Sequence, residues 1–246
     1  MARVLQQFIE PPRSCAYLSG AVATLEITIL VDVNAAELEA LLAHGYRHFG
    51  ATYFRPVCEP CRECVTLRIP TTTFAPSRSQ RRALRAAEAF RRVVGPPQVD
   101  HERLALYEKW HASREEQRGW EESPMDAARY RSDFARPAKT TREVAFYDDA
   151  DGGRLVGLGI VDHTTTALSA VYFFYDPAMG HASLGTAHVV MLVLEAQALG
   201  MTHVYLGYRV EGCASLKYKE RFLPHELLEG RPALSDDPKW RLRARE

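Results

Sequence analysis

Cys58, Cys61 and Cys64 stand at CxxCxxC spacing, and four arginines, Arg78, Arg81, Arg82 and Arg85, follow closely. Thiols at i, i+3 and i+6 can face one point, which suits zinc or an iron–sulfur cluster. Such a site needs a fourth ligand, and Cys15 supplies a sulfur if the N-terminal arm folds back. The competing reading is a set of small thiols packing a hairpin. The residues alone leave both open. Arginines at i, i+3, i+4 and i+7 share one face of a helix, and their forks grip phosphate oxygens bidentately. From Arg78 to Arg92 the chain carries six arginines against the single Glu88. A solvated helix face normally mixes signs, so this excess favours a phosphate-facing stripe. Thiols and arginines together point at nucleic acid.

A second group of candidates lies downstream. Asp176 follows the aromatic run Tyr172 to Tyr175 at an expected strand end. A carboxylate there can hold an ammonium or accept its proton; a turn Asp ahead of Pro177 explains it equally well. Lys217, Lys219 and Arg221 crowd around Tyr218, either as an ordinary basic loop or as a cationic pocket for a substrate carboxylate or a tRNA backbone. Cys213 has no adjacent base and reads as buried filler. The histidines show no HxxxH metal pair and no triad.

These side chains need a scaffold, and the chain can build one. Its 246 residues are 46% hydrophobic and 25% charged, enough to bury one sizeable core or two small ones. Net charge is zero, so no bulk field recruits polyanions and any nucleic-acid site is local. No apolar leader opens the chain, and no run of about 18 apolar residues exists to span a bilayer. The expectation is a cytoplasmic protein with no membrane partner and reduced thiols.

Leu25 to Asp32 alternates as a strand. Asn34 then caps a short helix with Glu37 as capping-box partner and Gly45 as its stop. Thr52 to Pro56 and Val65 to Pro70 read as two strands of a knuckle-like hairpin around the cysteine loop. Ser77 or Ser79 opens a helix carrying the arginines through Arg92, ended by Gly95-Pro96-Pro97. A mixed-charge helix runs from Asp100 to about Trp120, and Ser123-Pro124 starts another. Thr141 to Asp148, Arg154 to Asp162 and Ala167 to Asp176 are three antiparallel strands. A buried helix from Ser183 to Ala198, closed by Gly200, and a strand from His203 follow. The tail from about Arg231 shows no pattern. The expected division is a cysteine-containing, basic-helix region, residues 1–97, and a second region, residues 98–246.

The strand–buried helix–strand order of the second half resembles the core of the GNAT acyltransferases, making the chain α+β. In that fold a helix N-terminus binds the phosphates of an acyl carrier. Here Gly180, Ser183 and Gly185 let backbone N–H groups approach a phosphate. The usual coenzyme A loop, with its Gly-x-Gly, is absent.

Taken together, several blocks resemble the arginyl-tRNA–protein transferases: Cys15 to Leu18, Gly45 to Gly50 and Tyr53 to Arg82 in the N-terminal region, then Ser169 to Pro177, Ser183 to Thr186, Tyr205 to Tyr208 and Tyr218 to Phe222. The resemblance spans almost the whole chain and looks like the bacterial branch of the family. It implies transfer of leucine from leucyl-tRNA to the α-amine of proteins beginning with Asp or Glu, an N-degron mark. Asp176 and Tyr175 would then hold the amine. Arg47, Arg55, Lys217, Tyr218 and Arg221 would bind the acidic substrate, and Arg78, Arg81, Arg82, Arg85, Ser183 and Gly185 the tRNA. An activated ester needs no cofactor. Eukaryotic relatives are linked to an iron–sulfur cluster near their cysteines, which marks Cys15, Cys58, Cys61 and Cys64 as candidate zinc or iron–sulfur ligands. Three alternatives remain: arginyl transfer from arginyl-tRNA, a coenzyme A-dependent N-acetyltransferase, and a zinc-knuckle RNA-binding module without catalysis.

Overall fold

The computed structural model describes residues 1–118 and 124–244. In chain order the first elements are β1 (Arg3–Ile9), β2 (Arg13–Ser14), β3 (Val22–Ala23), β4 (Leu25–Val31), α1 (Ala35–Ala43), β5 (Arg47–Phe49), β6 (Thr52–Pro56) and β7 (Val65–Pro70). There follow α2 (Arg78–Ala87), β8 (Arg91–Gly95), α3 (His101–Arg118), α4 (Ala127–Asp133), β9 (Thr141–Asp148), β10 (Arg154–His163) and β11 (Ala167–Tyr175). The chain ends with α5 (Leu184–Ala198), β12 (His203–Arg209), α6 (Ala214–Lys217), β13 (His225–Leu228) and β14 (Trp240–Arg243). One-turn 3-10 segments cover Asp149–Asp151, Pro177–Ala182 and Tyr218–Arg221. The fold is α+β. Among the described residues no helix is long and apolar enough to cross a membrane.

Contacts divide the chain into two units: Met1–Ala75 with His163–Ser169 and Ala196–Glu246, and Pro76–Asp162 with Ala170–Glu195. The first unit holds an antiparallel sheet in the order β1-β4-β6-β5. It also holds a mixed array, where β12 runs antiparallel to β7 but parallel to the first residues of β11, Ala167 to Ser169. Helix α1 begins where Asn34 Oδ1 accepts from the Ala36 and Glu37 N–H groups and the Glu37 carboxylate accepts from Asn34 N–H. Such a cap is worth about 1 kcal/mol. Leu38, Leu41 and Leu42 then bury with Leu30, Tyr46, Tyr53, Ala167 and Tyr205.

In the second unit the strands follow the order β11-β10-β9-β8. Helix α5 buries Ala187 together with Leu184, Val190, Leu192 and Val193, the latter four worth roughly 1.5–3 kcal/mol each as an upper bound. His188 joins them at 1% exposed, seated over Gly159 of β10 and stacked on Phe173. A Cβ at Gly159 would stand 2.5 Å from the His188 ring, so the glycine makes the room that the imidazole fills.

The structure departs from several expectations. Strands β6 and β7 exist but do not form a hairpin: β6 is paired on both edges by β4 and β5, while β7 lies between β12 and β13. The arginine helix stops at Ala87, and Arg91 and Arg92 lie on β8, where pairing with Tyr147 and Phe146 of β9 overrides helical preference. Helix α4 starts at Ala127, its cap being Asp126, which accepts from Arg129 N–H, so Pro124 precedes the helix. The tail contributes β14, paired with β13. Trp120 and Ser123, where one helix was expected to end and another to begin, lie outside the described residues.

Candidate active site

Asp176 is 0% exposed, and the chain brings it there by ending β11 and using it to cap the 3-10 turn Pro177–Ala182. Its N–H donates to the Val156 carbonyl at 2.8 Å, and its Oδ1 accepts from the Ala178 N–H at 3.0 Å. Oδ2 accepts from Lys109 Nζ at 2.8 Å and from Arg154 Nη1. Burial alone would raise the carboxyl; the hydrogen bonds from Lys109 and Arg154 outweigh it and hold the group below the usual carboxylate range. It is an anion held by two cations. Neighbouring Tyr175 is half-buried with its ring 4.3 Å from that of Trp110.

The same unit carries the arginine face. Ser77 caps α2 and Gln80 completes the box, while Gln80, Ala83 and Ala87 bury one side. That leaves Arg78, Arg81, Arg82 and Arg85 exposed on the other. Among the described residues Arg78, Arg82 and Arg85 have no carboxylate partner, whereas Arg91 is tied to Asp149 and Arg92 to Glu195. The free positive stripe is therefore the helix alone. At the start of α5, Ser183 is exposed in the left-handed region at φ 54°, and Gly185 is half-buried against Phe173.

The cationic candidates fall in the other unit and do not behave alike. Arg55 belongs to a structural network: Nε donates to Glu26 at 2.7 Å, Nη1 donates to the Pro232 carbonyl at 2.7 Å, and the guanidinium lies over Tyr46. Lys217 is exposed with Glu211 3.8 Å away, and Tyr218 and Arg221 are exposed too. Arg47 is buried at 8%, and its Nη1 donates to Ser169 Oγ at 2.9 Å. It lies against Gly207 so closely that a Cβ there would stand 2.9 Å from Nε; Gly207 also sits at φ +76°, doubly excluding a side chain.

Sequence reasoning left Lys109 and Arg154 without a place among the site residues and named Lys219 only as part of a basic block. The Lys219 ammonium donates to the Tyr208 carbonyl at 2.7 Å. Burial pushes it down to about 7, the Arg47 charge adding to the effect. Tyr17 is exposed as a residue, but desolvation at its hydroxyl, then Cys64, Cys213 and Cys15, raise that group to about 12. No local pattern announces these residues; the Tyr218-to-Phe222 block was the one available signal, and it does not say which of its cations turns inward.

The five cysteines are free thiols. Cys64 is pushed up to about 12, by burial first and then by Cys15, Cys58 and Cys61, so the four candidate ligands are within electrostatic reach of one another. Yet among the described residues no three His, Cys, Asp or Glu side chains converge as a metal requires. Cys58 Sγ is engaged instead, accepting from the Thr24 N–H at 3.3 Å. The loop is held by arginines: Arg231 and Arg62 both donate to the carbonyls of Cys58 and Cys61. As arranged, these residues do not make up a metal's ligand set.

Two family models match, one for the C terminus of arginine-tRNA-protein transferases at residues 102–229 and one for the N terminus at residues 13–82. An α+β transferase that draws on an aminoacyl-tRNA is the class they define. The chain belongs to the arginine-tRNA-protein transferase family. It is 28% identical to an aspartate/glutamate leucyltransferase of Helicobacter hepaticus, over 97% of this chain and 98% of that one. It is 36% identical to one of Halorhodospira halophila, over 88% and 91%, and 34% identical to one of Rhizobium meliloti, over 92% and 90%. Among solved structures, FemX aligns at TM-score 0.48 and 10% identity, covering 81% of this chain and 68% of that one.

Proposed function

We propose that this enzyme transfers leucine from leucyl-tRNA to the α-amine of proteins beginning with Asp or Glu, in the cytoplasm, and so marks them for degradation. The observation that carries this reading is similarity to leucyltransferases along nearly the full length of both chains. The β11–α5–β12 order, with its parallel β11–β12 pairing, supports a GNAT-like core.

The substrate amine nitrogen attacks the ester carbonyl of leucyl-tRNA. A C–N bond forms, the C–O bond to the terminal ribose breaks, and the amine's proton ends on the released ribose hydroxyl. The ester is already activated, so positioning supplies most of the acceleration, and no cofactor enters. Asp176, with Tyr175 beside it, is the holder for a primary ammonium. The Lys109 ammonium, on a side chain 56% exposed, already rests on its Oδ2 and marks where one fits. An α-amine has a pKa near 8, so a weak acceptor releases its proton. The Arg78, Arg81, Arg82 and Arg85 face grips the acceptor stem, and Ser183 and Gly185 meet phosphates near the 3′ end. Arg55 is committed to Glu26 and the Tyr46 ring and serves the fold.

The test is transfer of labelled leucine or arginine from charged tRNA to peptides beginning with Asp, Glu, Lys or Arg. Leucine transfer confined to the acidic peptides is expected. Arginine transfer to those peptides would establish the arginyl reading, and turnover of acetyl-coenzyme A insensitive to RNase would sink both. Asp176→Asn should lower kcat/KM by roughly 100-fold, since it removes the anion while keeping the shape. Prior chelator treatment should change the rate by less than about twofold.

A further inference from the structure

Two cations share one buried carboxylate, but they are not held alike. Lys109 Nζ and Arg154 Nη1 both donate to Oδ2 of Asp176, whose side chain is 0% exposed. Arg154 is anchored a second time, its Nε donating to Asp151 at 2.7 Å. Lys109 has Asp176 as its one ion-pair partner among the described residues, and no carboxylate stands three or four places from it on α3. Its side chain is 56% exposed, against 40% for Arg154. The ammonium is the more loosely tied of the two and reaches solvent along its own stem.

What surrounds the pair matters as much. Asp176 caps the 3-10 turn Pro177–Ala182, and both α2 and α3 pack on that turn. The turn runs directly into Ser183 and the first residues of α5. The arginine helix, the helix carrying Lys109 and the start of α5 thus gather around one short segment, all within the second unit.

We infer that Lys109 is an exchangeable ammonium that couples the two substrates: a phosphate of the bound tRNA draws it off Asp176, and the acceptor's α-amine takes its place. This deepens the proposed function and rests on its assignment of Asp176 to the amine and of Ser183 and Gly185 to phosphates near the 3′ end. A third cation at this carboxylate is repelled by the two already there, so an amine binds by replacing one of them. Arg154 stays, because Asp151 holds it as well. Lys109 leaves, because a phosphate supplies the anion it gives up. Before the donor binds, the lysine closes the site and peptide binding is weak. By linkage the peptide must then tighten tRNA binding by the same factor that tRNA tightens the peptide.

Binding titrations test this with a fluorescent Asp-peptide and deacylated leucine-accepting tRNA, which together cannot react. The wild-type enzyme should bind the peptide roughly fivefold or more tightly when saturated with tRNA. Lys109→Met should bind it that tightly without tRNA, and tRNA should then change the affinity by less than about twofold. Lys109→Arg should restore the dependence on tRNA, and Arg154→Lys should retain it. A lysine that merely buttresses Asp176 gives the opposite sign: its loss would weaken peptide binding with and without tRNA, and that result would overturn the inference. Wild-type affinity that does not respond to tRNA, or coupling that survives in Lys109→Met, would overturn it too. The functional reading fails separately, if the wild-type enzyme moves no leucine to acidic peptides in the transfer assay.

Discussion

The two units treat buried charge in opposite ways. In the second unit Asp176 is a buried carboxylate with two cations and a backbone N–H on it. Nearby in the same unit, Arg103 and Glu143, with side chains 5% and 4% exposed, satisfy each other, and Arg103 also reaches Asp100. In the first unit the Lys219 ammonium meets a carbonyl and a like charge. Balanced burial is what structure requires; unbalanced burial costs stability. A unit with its charges cancelled is a finished scaffold. An ammonium with a single carbonyl on it among the described residues is not cancelled in that way.

The comparison breaks most visibly if a balanced pair proves dispensable. Arg103→Met leaves Glu143 buried with its Gln98 N–H contact as the remaining hydrogen bond among those described, besides the strand pairing of its own backbone. The expected loss is about 3–5 kcal/mol, read as a lower midpoint in denaturant. Burial pulls the Arg103 charge down, but hydrogen bonding and the charge of Glu143 prevail and raise it, which is the signature of a pair that holds its charges on folding. A double variant, Arg103→Met with Glu143→Leu, should recover most of the loss, because two apolar groups replace an ion pair at little cost. If the single variant is as stable as wild type, the distinction between the units fails.

His188 sharpens the comparison from within the balanced unit, as a conspicuous exception. Both ring nitrogens are buried without a hydrogen-bond partner, and burial, aided by the Arg92 charge, pushes the imidazole down to about 3. The sign follows from linkage. The unfolded chain binds the proton near the ordinary 6.5 and the folded chain only near 3, so stability falls as pH drops between those values. His188→Leu should remove that part of the acid sensitivity and change little at pH 8. Urea midpoints from pH 3.5 to 8 check it; parallel curves for the two proteins would mean that the ring is not held neutral.

How much of this was readable beforehand depends on the range of the contacts. Asn34, Glu37 and Gly45 announce α1 because a cap is made by residues three apart, and for α2 the structure chooses Ser77 over Ser79, with Gln80 completing a box the sequence reading did not name. The strands β9, β10 and β11 show through their apolar runs. The knuckle failed because pairing is decided by partners far along the chain: β7 finds β12 and β13, which no local pattern names. The site was legible to the same extent. Asp176 stood out by type and place, whereas Arg47 entered only through the family resemblance; Lys109 reaches Asp176 across 67 positions, and Lys219 differs from Lys217 only in which one the fold turns inward. Charge alternation in sequence cannot distinguish them, because burial is a tertiary property.

The smallest effect is the most discriminating, because it has the opposite sign. Replacing a well-paired buried charge destabilises; replacing Lys219 with Met should leave the fold as stable as wild type or slightly more so, by about 1 kcal/mol at neutral pH. The methionine keeps the apolar stem, and what is lost is an ammonium whose one hydrogen-bond partner among the described residues is a carbonyl. The pH dependence follows from the same shift. Below about 7 the lysine is charged in both folded and unfolded chains, so the folded state carries the whole cost of burying it. Between about 7 and the ordinary 10.5 the folded chain has released a proton that the unfolded chain still binds, and wild-type stability rises with pH. The advantage of the variant should therefore be greatest below pH 7 and fade toward pH 10. A variant less stable than wild type at pH 6.5 would show that the ammonium is compensated within the folded chain, and the contrast between the two units would go with it.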